Sequence, residues 1–177
     1  MKWVSTIVLL VAVAACCLLF VHKFGDDATI MSVGERAKDF RLETLAHDRF
    51  YLNQYRGQVV VLVFWATWCS SCKQELVALK SLAENFPQNL FMIASICTDP
   101  EAVDAVKAIV RSLDIPYPVL LDQGANVFRQ YNLRGYPTTL IIDRQGRVSF
   151  IRFGYSPAIM KQITMKIESL LEPGENT

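Results

Sequence analysis

The chain has little that would tie it to a polyanion, a metal cluster or a disulfide-stapled scaffold. Only two of its 177 residues are histidine, too few for most histidine-rich metal sites. An excess of either charge is missing: 18 lysines and arginines stand against 17 aspartates and glutamates, a formal net of +1. Nothing in that balance steers the chain onto nucleic acid. Five cysteines, unevenly placed, are too few for a small domain built on disulfides. Neither an internal repeat nor a low-complexity stretch is present. Apolar residues make up 52% and charged residues 20%. That excludes an intrinsically disordered chain, which lacks the apolar surface to offset ordering entropy. The length suits one domain.

Part of the apolar fraction is local. Trp3 to Val21 is a run of 19 residues without a charge, with Lys2 before it and His22-Lys23 after it. An apolar helix of about 20 residues spans the hydrocarbon core of a bilayer. With Lys2 and the amino terminus on the short leading side, the positive-inside rule favours an N-in, C-out anchor. Two cleavage readings compete. Ala12-Val13-Ala14 could serve a signal peptidase. Val13-Ala14-Ala15-Cys16 resembles a bacterial lipobox, in which Cys16 would carry lipid. Both leave the apolar stretch Cys17 to Val21 downstream, which suits an uncleaved anchor better. All three put the rest of the chain outside the cytoplasm. The expected organisation is an anchor or signal segment at 1–23, a polar linker at 24–32, one domain at 33–171 and a flexible tail at 172–177.

The domain alternates strands and helices. Asp39 to Leu42 and Arg49 to Leu52 are short extended candidates around a turn at Ala46-His47-Asp48. Val59 to Trp65, VVVLVFW, is an unbroken apolar run, as in a strand buried on both faces. Leu76, Leu79, Leu82-Ala83 and Phe86 share one face of a helix expected over Ser70 to Phe86. Leu90 to Ile96 reads as a strand, Pro100 opens a helix running to Leu113, Val119 to Leu121 is a short strand, and Ala125 to Tyr131 a short helix. Thr138 to Asp143 and Arg147 to Phe153 form a hairpin around Arg144-Gln145-Gly146. Ser156 caps a last helix, which Pro173-Gly174 ends. The order predicts an α/β fold with a central mixed sheet covered by helices on both faces.

The chemistry sits in Trp65-Ala66-Thr67-Trp68-Cys69-Ser70-Ser71-Cys72, where a buried strand gives way to a helix. Cysteines three apart on a helix's first turn face the same way, so their sulfurs can bridge. The helix N-terminus offers unpaired N–H groups and partial positive charge, which stabilise a thiolate. By this geometry Cys69 is the more exposed and is the nucleophile, and Cys72 resolves the mixed disulfide. A zinc site would need two more ligands, for which only Cys97, His47 and carboxylates remain. A purely structural disulfide closing so short a loop would remove little unfolded-state entropy.

FWATWCSSC resembles the active-site segment of thioredoxin-like proteins, and in particular the membrane-anchored thiol-disulfide oxidoreductases of the TlpA/ResA type in the redoxin group. The resemblance runs over about residues 33 to 171. It includes Val33 to Phe40, similar to the family's entry segment before its added N-terminal hairpin. It also includes Tyr117 to Asp122, similar to the segment after the family's inserted helix, and Gly135-Tyr136-Pro137-Thr138-Thr139, similar to its cis-proline loop. The resemblance implies a thioredoxin-like fold and several roles. Pro137 would be the cis-proline packed against the active-site disulfide, and the Tyr136 backbone would pair with a bound substrate strand. Glu75, three after Cys72, would assist proton transfer, against the alternative of a solvated helix glutamate. Trp68 would shield the disulfide and contact partners, while Trp65 belongs to the core. The sequence also departs from its relatives. Val63 stands where thioredoxin has a buried aspartate, which shifts the acid role to Glu75. Ser70-Ser71 stands where many relatives have proline second, and Tyr136 is bulky. Cys97 has no family role and reads as a small buried hydrophobe.

A thiol peroxidase shares the fold, but it needs a threonine or serine three residues before its reactive cysteine, and Ala66 occupies that place before Cys69. A copper chaperone would want a distant histidine after the motif, whereas the last one is His47. A non-catalytic scaffold that recruits cytochrome-maturation partners remains the alternative outside enzymology. The expectation is a membrane-anchored, extracytoplasmic disulfide reductase that needs neither organic cofactor nor metal. Its partners would be protein thiols or disulfides, such as those of apocytochrome c, a membrane thiol-electron donor and the bilayer, with no nucleic acid.

Overall fold

The computed structural model describes Trp3, residues 31–99 and residues 103–172. The expected anchor or signal segment beyond Trp3, the linker up to residue 30, Pro100 as a helix opener, and Pro173-Gly174 with the tail lie outside the described residues. Among the described residues no helix is long and apolar enough to cross a membrane.

Seven strands form one sheet: β1 (Arg41–Thr44), β2 (Arg49–Tyr51), β3 (Val59–Trp65), β4 (Phe91–Cys97), β5 (Val119–Leu121), β6 (Thr138–Ile142) and β7 (Val148–Phe153). Their spatial order is β2-β1-β5-β4-β3-β6-β7. The run VVVLVFW becomes β3, with all seven residues buried. It pairs parallel with β4, from Val59 opposite Phe91 to Trp65 opposite Cys97, and antiparallel with β6, with Val63 opposite Thr139. Successive β3 side chains point to opposite faces. Val59, Val61, Val63 and Trp65 therefore enter one core, and Val60, Leu62 and Phe64 the other. Each such burial is worth about 1.5–3 kcal/mol before entropy is counted. The second core also takes Met31, Phe40, Phe50 and Tyr131.

The helices are α1 (Ser70–Ala78), α2 (Lys80–Asn85), α3 (Val103–Leu113), α4 (Asn126–Gln130) and α5 (Pro157–Leu171). Where the apolar spacing predicts one helix from Ser70 to Phe86, the structure breaks it at Leu79. The apolar face continues through the break, with Leu76, Leu79 and Leu82 all buried. Hydrogen bonding is what changes. The Leu82 N–H donates to the Leu79 carbonyl, and the Tyr117 hydroxyl donates to the Leu76 carbonyl at 2.6 Å. Spacing reports the face of a helix and not its hydrogen-bond ladder. The Ser156 hydroxyl accepts from the Ile159 N–H at 3.2 Å and caps α5. Buried Asp122 accepts from the N–H groups of Val127 and Phe128, both at 3.0 Å, and so fixes the start of α4.

Candidate active site

β3 ends at Trp65, at the carboxyl end of a strand in the middle of the sheet, and the chain turns there into α1. Open α/β sheets place their sites at such strand ends. In the turn, the Cys69 N–H donates to the Ala66 carbonyl at 3.1 Å. Cys69 is the N-cap of α1, and its sulfur accepts from the Cys72 N–H at 3.2 Å. The two cysteines form a disulfide across Cα atoms 5.3 Å apart. Cys69 retains 6% exposure and Cys72 none. The Ser71 hydroxyl stands 3.6 Å from the Cys69 sulfur. The serine that stands where many relatives have proline thus adds a polar contact at the Cys69 sulfur.

Glu75 is fully buried, which removes the solvated-helix reading. Its Oε1 accepts from the Thr139 hydroxyl at 2.7 Å, and its Oε2 is buried without a hydrogen-bond partner. Burial pushes its pKa up to about 7, against the Thr139 hydrogen bond, which pulls it down. Thr139 is the β6 residue opposite Val63. A carboxylate from α1 is thus bonded to the β6 neighbour of position 63. Tyr117 is buried beside it. Desolvation, and after it the Glu75 charge, hold its phenol well above the ordinary tyrosine range.

The bond between Tyr136 and Pro137 is cis. Trp68 is 70% exposed, and its ring meets that of Tyr136 edge-on at 5.6 Å. The Tyr136 ring stacks on Phe128 at 4.8 Å, and its hydroxyl accepts from Thr98 at 2.7 Å. Burial raises the Tyr136 phenol, the Thr98 bond opposing it. Trp65 and Cys97 are buried, and the Cys97 thiol donates to Asp99 Oδ1 at 3.3 Å. Sequence reasoning missed Phe128, Thr98, Asp99 and Tyr117. The available signal was position: Thr98 and Asp99 follow the carboxyl end of β4, which is parallel to β3.

A cavity of about 550 Å³, lined by residues including Leu45, Lys107, Arg111 and Tyr117, does not include either redox cysteine. The disulfide lies instead beside an exposed aromatic surface, a geometry that serves a macromolecular partner better than an enclosed small molecule. Among the described residues no group of three His, Cys, Asp or Glu could hold a metal ion.

Comparison with known proteins agrees with the geometry. Residues 33–151 match the model of the AhpC/TSA family. The chain is 32% identical over 155 residues to the thioredoxin-like protein YneN of Bacillus subtilis, covering 86% of this chain and 90% of that one. It is 31% identical over 150 residues to the thiol-disulfide oxidoreductase ResA of Geobacillus kaustophilus, covering 84% and 85%. A crystal structure from Chlorobium tepidum, provisionally described as the thiol:disulfide interchange protein DsbE, superposes with a TM-score of 0.75 at 27% identity. It covers 80% of this chain and 99% of that one.

Proposed function

The chain belongs to the AhpC/TSA family and has a thioredoxin-like fold, and on that premise we propose that this thiol-disulfide oxidoreductase works as an extracytoplasmic reductant of protein disulfides, with Cys69 attacking and Cys72 resolving. The observation that carries the assignment is the place of the Cys69 sulfur. It caps a helix start, accepts the Cys72 N–H and belongs to the less buried member of the pair. Helix-terminal N–H groups and partial charge favour a thiolate there.

The cycle closes on the chain's own atoms and two partners. The Cys69 thiolate attacks one sulfur of a partner disulfide, and the other partner sulfur leaves as a thiolate. The Cys72 thiolate then attacks the Cys69 sulfur and releases the second partner thiol. The partner gains two electrons, and the Cys69–Cys72 pair is left oxidised. A membrane thiol carrier restores it. Glu75 exchanges the proton that Cys72 must lose before it attacks, since a carboxyl titrating near 7 can both hold and release one at neutral pH. Trp68, Tyr136 and Pro137 form the partner surface. The disulfide formed by the haem-binding cysteines of apocytochrome c is the substrate this reading favours, on the resemblance to the TlpA/ResA type.

Residues 1–23 serve as the anchor, with 24–32 a linker, 33–171 the catalytic domain and 172–177 a tail, and the β1–β2 pair is the family's N-terminal hairpin. The support for an outside location is the charge-free run from Trp3 to Val21 behind Lys2. The peroxidase alternative is disfavoured by Ala66, which is buried and offers no hydroxyl to a peroxide. Trapping tests the assignment. Cys72→Ser should accumulate mixed disulfides with partner proteins, and Cys69→Ser should not. The reverse pattern would exchange the two roles, and no adduct with either variant would favour the non-catalytic scaffold.

A further inference from the structure

Two consecutive residues past the end of β4 reach the two loops that flank the disulfide. The Asp99 carboxylate accepts the Thr67 N–H at 2.9 Å through Oδ1 and at 3.1 Å through Oδ2, and the Thr67 hydroxyl at 2.6 Å. Thr67 lies two residues before Cys69, inside the turn closed by the bond from the Cys69 N–H to the Ala66 carbonyl. Thr98, next to Asp99, donates to the Tyr136 hydroxyl in the other loop, and its own N–H donates to the Trp65 carbonyl at 3.0 Å.

We infer that Asp99 is a positioning residue for the reaction: by clasping Thr67 it holds the turn that presents the Cys69 sulfur at the start of α1. The inference rests on the reading of Cys69 as the attacking thiol. Three short contacts from one carboxylate to one residue leave the turn little freedom, and charge-assisted bonds of this kind are the strong ones. Attack on a disulfide needs the incoming sulfur in line with the bond it breaks, so a loosened turn costs rate rather than fold. The charge of Asp99 acts in the opposite direction, since a carboxylate near a thiol disfavours the thiolate. Positioning and charge therefore predict opposite signs when Asp99 is removed. Tyr136 and Asp122 share this neighbourhood and are common to all variants, and the Cys97 thiol, which donates to Asp99 Oδ1 at 3.3 Å, keeps that acceptor in Asp99→Asn.

The test uses the full chain carrying Cys72→Ser, in which Cys69 cannot be resolved. A small aromatic disulfide is added; Cys69 forms a mixed disulfide and releases one aromatic thiolate, whose absorbance gives the rate, and peptide mass places the adduct. Adding Asp99→Ala should slow the reaction about tenfold, while Asp99→Asn, whose amide oxygen still accepts the Thr67 N–H, should stay within about twofold of the parent. An Ala variant as fast as the parent or faster overturns the inference. So does an Asn variant as slow as the Ala one, because the acceptor would then not be the cause. Should the Ala variant not fold, Thr67→Val removes only the 2.6 Å hydroxyl bond. It should slow the reaction about threefold, and an unchanged rate overturns the inference. A parent that forms no adduct on Cys69 refutes the role of Cys69 instead, whatever stands at 99.

Discussion

Replacing Glu75 by glutamine should make the fold less sensitive to alkaline pH, in an amount the structure sets. In the folded chain Glu75 keeps its proton until about pH 7, against 4.5 as its ordinary value. Burial is the main cause, and the unpartnered Oε2 shows why: nothing in the protein replaces the water that this oxygen would lose. Between those two pH values the folded state binds more protons than the unfolded state, so stability falls as pH rises. Below 4.5 both states are protonated, and Glu75 costs the fold nothing. Above about 7 the penalty is complete. A tenfold change in proton affinity is worth about 1.4 kcal/mol, so the full span costs about 3 kcal/mol. Glutamine does not titrate. Its own burial adds a constant offset, and every other titrating group is common to both chains. The stability of Glu75→Gln minus that of the parent should therefore grow by about 3 kcal/mol between pH 4.5 and 8. Urea unfolding of the oxidised proteins at several pH values in that range measures it. A difference that is flat with pH, or that shrinks as pH rises, would refute a buried carboxyl titrating near neutrality and remove the basis for the proposed role of Glu75 as proton partner.

The Tyr117 hydroxyl fills the Leu76 carbonyl at the break between α1 and α2, so Tyr117→Phe should destabilise the oxidised protein by about 1–2 kcal/mol in urea unfolding; an unchanged midpoint would mean that water serves that carbonyl equally well. Trp68 is 70% exposed, so Trp68→Ala should change stability by less than about 1 kcal/mol. It should nevertheless raise KM for a protein disulfide several-fold, with the rate on a small disulfide unchanged; equal losses on both substrates would place the ring in the chemistry rather than on the partner surface. In intact spheroplasts a membrane-impermeant thiol reagent should label reduced Cys69, and labelling only after lysis, with the thiols shown to be reduced beforehand, would invert the proposed topology.

How much of this was legible in the sequence depended on the range of the interaction. β3 could be read because its signal is local: seven apolar residues in a row make a strand buried on both faces. The cysteine pair could be read because its spacing and its place at a strand-to-helix junction are local too. The hydrogen bonds that complete the site join residues far apart in the chain. Asp99 reaches Thr67 across 32 positions, Tyr117 reaches Leu76 across 41, and Thr139 reaches Glu75 across 64. No periodicity encodes such contacts; they exist only after the sheet sets its register, with Val63 opposite Thr139 and Trp65 opposite Cys97. Glu75 shows the boundary between the two. Its place one turn beyond Cys72 is legible, whereas its complete burial depends on β6 closing over it. The break at Leu79 was hidden for a related reason, since the carbonyl it frees is taken by a side chain from another element.

The claim that most needs a direct measurement is the direction of electron flow through Cys69 and Cys72. Equilibrating the purified protein with thiol–disulfide buffers of known poise, and following the fraction oxidised, gives the reduction potential of the pair. A reductant of secreted-protein disulfides should show a value at or below about −250 mV, whereas a value near about −120 mV would make the protein an oxidant and contradict the account.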